Sequence, residues 1–236
     1  MNVLSLDDWA YSLLNTINPK LMDDEEVDLR QVKTWIIDTR AIFLKNLLNT
    51  RKGIESNLVQ TIANEPVEYV STSGKDKIFR TKNTIPPFVM LDSGPAISRI
   101  GSTNSLEPSF KLFSNTAEVP FSGHGRFNKY SVFAYLDGDR IFLKTKDPLF
   151  IIGINSEINI SAVFVDPRDL SEYKDENGKP AFSDRYSNFP MDRETKTYIE
   201  NQIKQSKFAF TEQSIPDNVN DSQDNSEDKM MRGDGR

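Results

Sequence analysis

The chain has 236 residues and a formal net charge of −6, from 29 basic and 35 acidic side chains. This balance argues against a protein that coats nucleic acid, because such proteins need a cationic surface to displace counterions. There is no cysteine and only one histidine, so disulfides, thiolate zinc sites and a histidine metal cluster within one chain are excluded.

The first helix is predicted over residues 5–17. Ser5 is placed to cap its N-terminus, and two aspartates follow in the first turn, where the helix dipole favours acidic side chains. An Asn-Pro pair at residues 18–19 ends it. We expect no secretory signal here, because no basic region precedes an apolar run. The apolar face of the helix comprises Leu6, Trp9, Ala10, Leu13, Leu14 and Ile17.

The next element is predicted as one long amphipathic helix over residues 28–63. Its apolar residues recur mostly at steps of three, four or seven, and charged residues, Arg40 among them, fall largely between them. Gly53 is its weak point, because a glycine inside a helix costs roughly 1 kcal/mol relative to alanine. The apolar residues form a stripe along one face of this helix, and the stripe must pack against another helix, the following sheet or a second copy of the chain. It comprises Leu29, Val32, Ile36, Phe43, Leu47, Ile54, Leu58 and Ile62.

After Pro66 the pattern changes to short segments with a period of two, which indicates strands. The clearest hairpin has an Asp-Gly turn at residues 137–138 between two aromatic-rich runs. Two prolines keep residues 85–88 out of any central strand. The longest apolar run, at 149–154, is too short to span a membrane. Strands are predicted at 67–70, 77–80, 89–91, 96–100, 131–136, 140–144, 150–154 and 159–165.

The C-terminal part begins with a polar loop or arm over residues 174–188, followed by a helix over 191–206. From residue 211 onward the chain is rich in Asp, Asn, Ser, Gln and Glu, too polar to bury a core. The sequence therefore predicts an α+β fold. Its parts are an N-terminal helical hairpin with one long helix at 1–65, an antiparallel β-sandwich-like domain at 66–170, an arm and C-terminal helix at 171–210, and a disordered acidic tail at 211–236.

Candidate chemistry is sparse. Two glycines flank His124 in the segment 122–126, but a phosphate loop should follow a strand and open a helix, and a turn is the better interpretation. The aspartates at 137, 139, 166 and 169 stand near predicted strand ends, where acids usually form turns. An Arg-Gly-Asp tripeptide at 232–234 falls in the predicted tail and is attributed to chance. We therefore expect no enzyme, no cofactor and no metal.

Three stretches, at residues 85–101, 126–136 and 162–167, together with the helical opening, resemble a structural protein of crAss-like tailed bacteriophages and their podovirus relatives. That family is a ring or adaptor component of the head-to-tail connector, similar in role to tail tubular protein A. The resemblance spans most of residues 5–205.

The resemblance implies a virion protein that forms a homo-oligomer, a dodecameric ring, stacked with the portal and other tail proteins around a channel for the genome. It implies assembly in the host cytoplasm, DNA passage without specific binding and no membrane. An acidic surface suits such a channel, since like charge keeps DNA from sticking. We also expect the arm to order only on a neighbour. Candidate interface residues are Ile85, Pro86, Pro87, Phe88, Gly123, His124, Gly125, Arg126, Tyr173, Phe182, Tyr186 and Phe189.

Two alternatives stay open at this point. One is a non-viral β-sheet module that binds a ligand or regulates, with a helical oligomerisation stalk. The other is a hydrolase that uses His124, although no nucleophile or orienting acid stands at a recognisable spacing from it.

Overall fold

A computed structural model describes residues 5–17, 27–50, 53–104, 107–114, 116–122, 131–146 and 157–208. These ranges contain helices at both ends of the chain and a large, mostly antiparallel sheet between them, which confirms the predicted α+β fold. The helices are α1 (Leu6–Ile17), α2 (Leu29–Thr50) and α3 (Arg193–Phe208), with 3-10 helices at Thr116–Phe121 and Pro167–Glu172. The strands are β1 (Gln60–Ser73), β2 (Asp76–Thr81), β3 (Met90–Leu91), β4 (Gly94–Pro95), β5 (Ile97–Ser102), β6 (Lys111–Phe113), β7 (Phe133–Asp137), β8 (Arg140–Thr145) and β9 (Glu157–Ala162).

Strand β1 organises the main sheet, whose order is β5-β9-β1-β2-β8-β7-β6. Every neighbouring pair is antiparallel except β6 and β7, which are parallel. The first half of β1 pairs with β9 and the second half pairs with β2. Between the halves the register shifts after Ile62, and Asn64 takes a positive φ of 55°. Such an irregularity bends a strand, so β1 passes from one part of the sheet to the other around a shared core.

Both tight hairpins of the main sheet follow from local sequence. The β7–β8 hairpin pairs Asp137 with Arg140, as the Asp-Gly turn predicts, and Gly138 has φ +63°. The β1–β2 hairpin has a two-residue turn in which Gly74 has φ +62°. A positive φ is easy for glycine alone, and it matches the twist of paired strands. The strand predicted at residues 150–154 and the predicted tail lie outside the described residues.

The single helix predicted over residues 28–63 is wrong in its second half. Helix α2 ends at Thr50, and Gln60 already belongs to β1. The four-residue spacing misled the prediction because Leu58 and Ile62 are both buried, but for different reasons. Leu58 packs against the end of α2 from a turn, whereas Ile62 lies on the inner face of a strand. Apolar periodicity over one or two turns does not separate these cases.

Helix α2 is covered by its own subunit. Its first half joins the main core with α1, α3 and both halves of the sheet, and its second half packs on the β3–β4 ribbon in a smaller core. Of the possible partners for the stripe, the structure uses neighbouring helices and sheet. The side chains buried along α2 are Val32, Ile36, Ile37, Arg40, Leu44 and Leu48.

A buried carboxyl in β1 makes stability depend on pH. Glu65 is 2% exposed and accepts hydrogen bonds from the backbone N–H of Asn83 (3.0 Å) and from its Nδ2 (3.3 Å). Burial raises the pKa of Glu65, an effect that the Asn83 bonds and Arg140 oppose. The folded carboxyl therefore holds its proton more tightly than the unfolded one, whose pKa is the ordinary glutamate value of about 4.5. As a result, the contribution of Glu65 to stability falls as pH rises from about 4.5 through the raised pKa.

We therefore expect Glu65→Gln to gain stability relative to the wild type as pH rises from 4 to 7. Glutamine keeps an oxygen for the Asn83 N–H but has no charge to bury. Urea unfolding at both pH values measures the difference, with the exposed Glu107→Gln as the control. A constant difference between variant and wild type at the two pH values would contradict this account.

Candidate interaction surfaces

Several large apolar side chains lie on the surface of a subunit that also contains two buried hydrophobic clusters. Singly exposed apolar residues are ordinary, whereas a large contiguous apolar patch marks a contact site. Tyr69 and Val70 are adjacent on β1, at the point where the pairing of β1 with β2 shifts register, and both are exposed. The exposed fractions are Phe121 80%, Tyr186 77%, Ile42 66%, Tyr11 57%, Tyr69 54%, Met90 51%, Tyr198 49% and Val70 41%.

The diproline segment and Tyr173 come together, as two predicted interface elements. The Tyr173 hydroxyl donates a hydrogen bond to the carbonyl of Thr84, and both residues line a surface hollow of about 450 Å³. Pro87 is exposed, whereas the flanking side chains of Ile85 and Phe88 are buried. Two prolines restrict the backbone of this rim. The segment therefore presents a stiff edge, held from beneath by its two buried neighbours.

The glycine loop containing Gly123, His124, Gly125 and Arg126 lies outside the described residues. The 3-10 helix that precedes this loop is held to the sheet. The Lys144 ammonium donates to the carbonyl of Val119 at 2.8 Å and pairs with Asp76 at 3.2 Å. Phe121, two residues before the loop, is the most exposed large apolar side chain of the described part of the chain.

The arm over residues 174–188 is folded on its own subunit, so the expectation that it orders only on a neighbour is wrong. Phe182 and Phe189 are each 1% exposed and pack edge to face, with ring centroids 6.2 Å apart. Lys33 of α2 pairs with Asp184 in the arm at 2.8 Å. Burial gives the two phenylalanines a packing role, whereas Tyr186 is left exposed.

A groove lies between the start of β1 and the arm, with a volume of about 430 Å³. One wall is built from residues 57–61 and the other from two segments of the arm. Gln60 lines it and is 8% exposed, and neither the oxygen nor the nitrogen of its carboxamide has a hydrogen-bond partner among the residues that the structure describes. A buried amide without partners costs roughly 1–3 kcal/mol. The residues lining the groove include Asn57, Thr61, Asp175, Glu176, Asn177 and Pro190.

The tip of the β1–β2 hairpin is the second exposed feature. Seven consecutive residues, from Tyr69 to Lys75, are exposed. Lys77 lies over the Tyr69 ring at 5.4 Å, and the ring packs edge to face on Phe79 at 5.8 Å. These contacts fix the shape of the tip while leaving its outer surface uncovered.

Of the aspartates near the predicted strand ends, Asp166 has a structural role as a helix cap. Asp166 accepts the N–H of Arg168 at 2.8 Å as the cap of a 3-10 helix, and it also binds the Arg168 guanidinium at 2.7 Å. Within the described ranges, no three histidine or acidic side chains are grouped to hold a metal ion. Nor, in the same part of the chain, is any helix long and apolar enough to cross a membrane.

The sequence analysis missed the groove, and it predicted strands at 67–70 and 77–80 without assigning a contact role to the tip between them. Gln60 fell inside the predicted long helix, and its groove partners stand more than a hundred positions away, so no local pattern indicates it. The exposure of the tip does have a signal in the sequence. Tyr69 and Val70 are adjacent in a strand, and one of two neighbouring apolar residues must face away from a one-sided core.

Comparison with known families places the chain. A family model described as phage tail ring protein 2 covers residues 10–229, and so includes all the described strands and most of α1. No curated protein matches the chain. The match agrees with the resemblance carried by residues 85–101, 126–136 and 162–167, and a ring protein assembles with other tail components. The chain therefore belongs to the phage tail ring protein 2 family of crAss-like phages, and it is a structural component of the virion tail.

Proposed function

We propose that the protein is a ring subunit of the head-to-tail connector, joining the portal to the tail and lining the channel through which the genome leaves. The observation that supports this best is the match to the phage tail ring family over residues 10–229. Exposed side chains such as Phe121 and Tyr186 are available for contacts with other chains. The net charge of −6 suits a conduit from which DNA must not be retained.

The working residues of such a protein are contact residues and not catalytic ones. Among the interface candidates, the exposed or partly exposed Pro86, Pro87, Tyr173 and Tyr186 are available to a partner. We propose a homo-oligomeric ring, dodecameric by the family resemblance, assembled in the host cytoplasm, without enzymatic activity or cofactor. The alternative module with a helical stalk is disfavoured, because α2, the helix that would form the stalk, buries its stripe within the subunit.

The test is assembly. We expect the purified full-length chain, alone or mixed with the portal protein of the same phage, to form rings that light scattering measures and negative-stain images show. A matched mixture with an unrelated ring-forming protein controls for non-specific association. A chain that stays monomeric in both conditions and does not bind the portal would rule out the proposed role.

A further inference from the structure

We propose that neighbouring copies in the ring meet head to tail, with the tip of the β1–β2 hairpin of one copy seated in the Gln60 groove of the next. This inference rests on the proposed function, since it names the contact by which the ring closes.

The groove lacks a hydrogen-bonding partner. The Gln60 carboxamide carries an acceptor oxygen and a donor nitrogen side by side, both buried and both without a hydrogen-bond partner in the described part of the chain. A peptide group of an entering chain offers the complementary donor and acceptor. Both atoms are closed to solvent in the free subunit, so an inserted backbone segment would bond them once the Gln60 side chain turns toward the groove. Because buried amides are nearly always paired, this pairing would remove the cost of the unpaired carboxamide.

The hairpin tip supplies such a backbone segment. Its turn, Gly74–Lys75, is exposed on all sides, and nothing lies within 4 Å of the position that a Cβ on Gly74 would occupy. Peptide groups in a two-residue turn are free to bond outward. Tyr69 and Val70 behind the turn would add apolar contact at the groove mouth, where burial of exposed apolar area favours association.

The charges of the two surfaces are complementary. Lys75 lies in the turn and Lys77 just behind it. Asp175 and Glu176 line the groove from the arm side. The Asp175 carboxylate is committed to its own turn, where it accepts the backbone N–H of Asn177 at 2.8 Å, so Glu176 is the acid available to an incoming lysine. Opposite charges across an interface fix orientation and speed encounter.

The two surfaces lie at opposite ends of one strand. Gln60 begins β1 and Ser73 ends it, and 14 residues of strand span about 40 Å. A tip at one end cannot reach the groove at the other end of the same copy. Two complementary surfaces separated in this way form a heterologous contact, which repeats from copy to copy and closes into a ring when the rotation closes.

The absence of cysteine in the natural chain makes disulfide trapping unambiguous. We expect the double variant Ser73→Cys with Asn57→Cys, oxidised in the assembled state, to give a ladder of covalent oligomers on a non-reducing gel. Each single variant has only one half of the contact, so it gives at most dimers. A matched control pairs Ser73→Cys with Glu107→Cys, an exposed position away from the groove, and should give no ladder.

Charge reversal gives a second measurement. Lys75→Glu and Glu176→Lys should each raise the protein concentration needed for half-maximal assembly about tenfold, and the two together should largely restore it. The exposed Lys45→Glu on α2 is the control for a change in net charge alone.

The outcomes separate the two proposals. Rings that form normally but give no ladder from the Ser73 and Asn57 pair would overturn the hairpin-groove contact and leave the ring function standing. Failure of the unmodified chain to assemble, alone or with the portal, would overturn both.

Discussion

Replacing Arg40 with alanine is expected to lower the free energy of unfolding by about 4 kcal/mol. Arg40 is fully buried in the middle of α2. Its Nε donates to the carbonyl of Pro190 at 3.2 Å, one of its terminal nitrogens donates to that of Phe164 at 3.0 Å, and the guanidinium lies over the Phe189 ring at 5.4 Å. Truncation removes partners of two carbonyls and leaves a cavity, and both changes are costly.

The matched control is Arg40→Met. Burial lowers the pKa of Arg40 to about 9, so the group is charged at neutral pH and its desolvation is unfavourable. Methionine fills much of the same space without this charge, although it leaves the two carbonyls unpaired. We expect it to cost about 1–2 kcal/mol, less than half the loss in the alanine variant. Urea unfolding followed by circular dichroism measures both, and equal losses below 1 kcal/mol would show that the guanidinium contacts contribute little.

Arg40 also connects the core to the groove. Pro190, whose carbonyl it binds, lines the groove that contains Gln60. Helix α2 thus holds the last part of the arm in place from beneath. A variant that releases this contact should weaken assembly even where the subunit remains folded, because the groove wall loses its anchor.

Arg40 shows what periodicity alone leaves out. The sequence analysis assigned it to the polar side of the helix because it is charged. Its spacing of four from Ile36 and from Leu44 nevertheless places it on the buried stripe. Whether a charge at such a position is tolerated depends on carbonyls far along the chain, near residues 164 and 190, which no local pattern reveals.

Predictions from local sequence were the reliable ones. The β7–β8 hairpin follows from an Asp-Gly turn between aromatic runs, and α1 follows from its cap and apolar face. Ser5 does cap α1, with its hydroxyl accepting the N–H of Asp8 at 3.1 Å. The predictions for the end of the long helix and for the arm were wrong. Both features depend on which distant surfaces are available to cover an apolar side chain.

Truncating Trp9 to alanine is expected to cost about 4 kcal/mol and to loosen the arm. Trp9 is fully buried on α1, packs edge to face on Phe189 at 5.5 Å and donates its Nε1–H to Glu200 of α3 at 2.8 Å. It therefore joins the first helix, the residue that follows the arm and the last helix at one point. Trp9→Phe, which keeps a ring but loses the hydrogen bond, should cost about 1–2 kcal/mol.

The two Trp9 variants separate folding from assembly. Phe189 follows the arm and packs on Phe182, which lines the groove. Removing the indole should therefore loosen the packing of these two rings and, with it, the groove wall. We expect Trp9→Ala to raise the concentration needed for assembly and to speed proteolysis within residues 174–188, while Trp9→Phe leaves both close to the wild type. Thermal unfolding of the same samples identifies the temperature at which each variant is still folded. If Trp9→Ala assembled normally at that temperature, the groove wall would not depend on this packing, and the link from core to ring contact would fail.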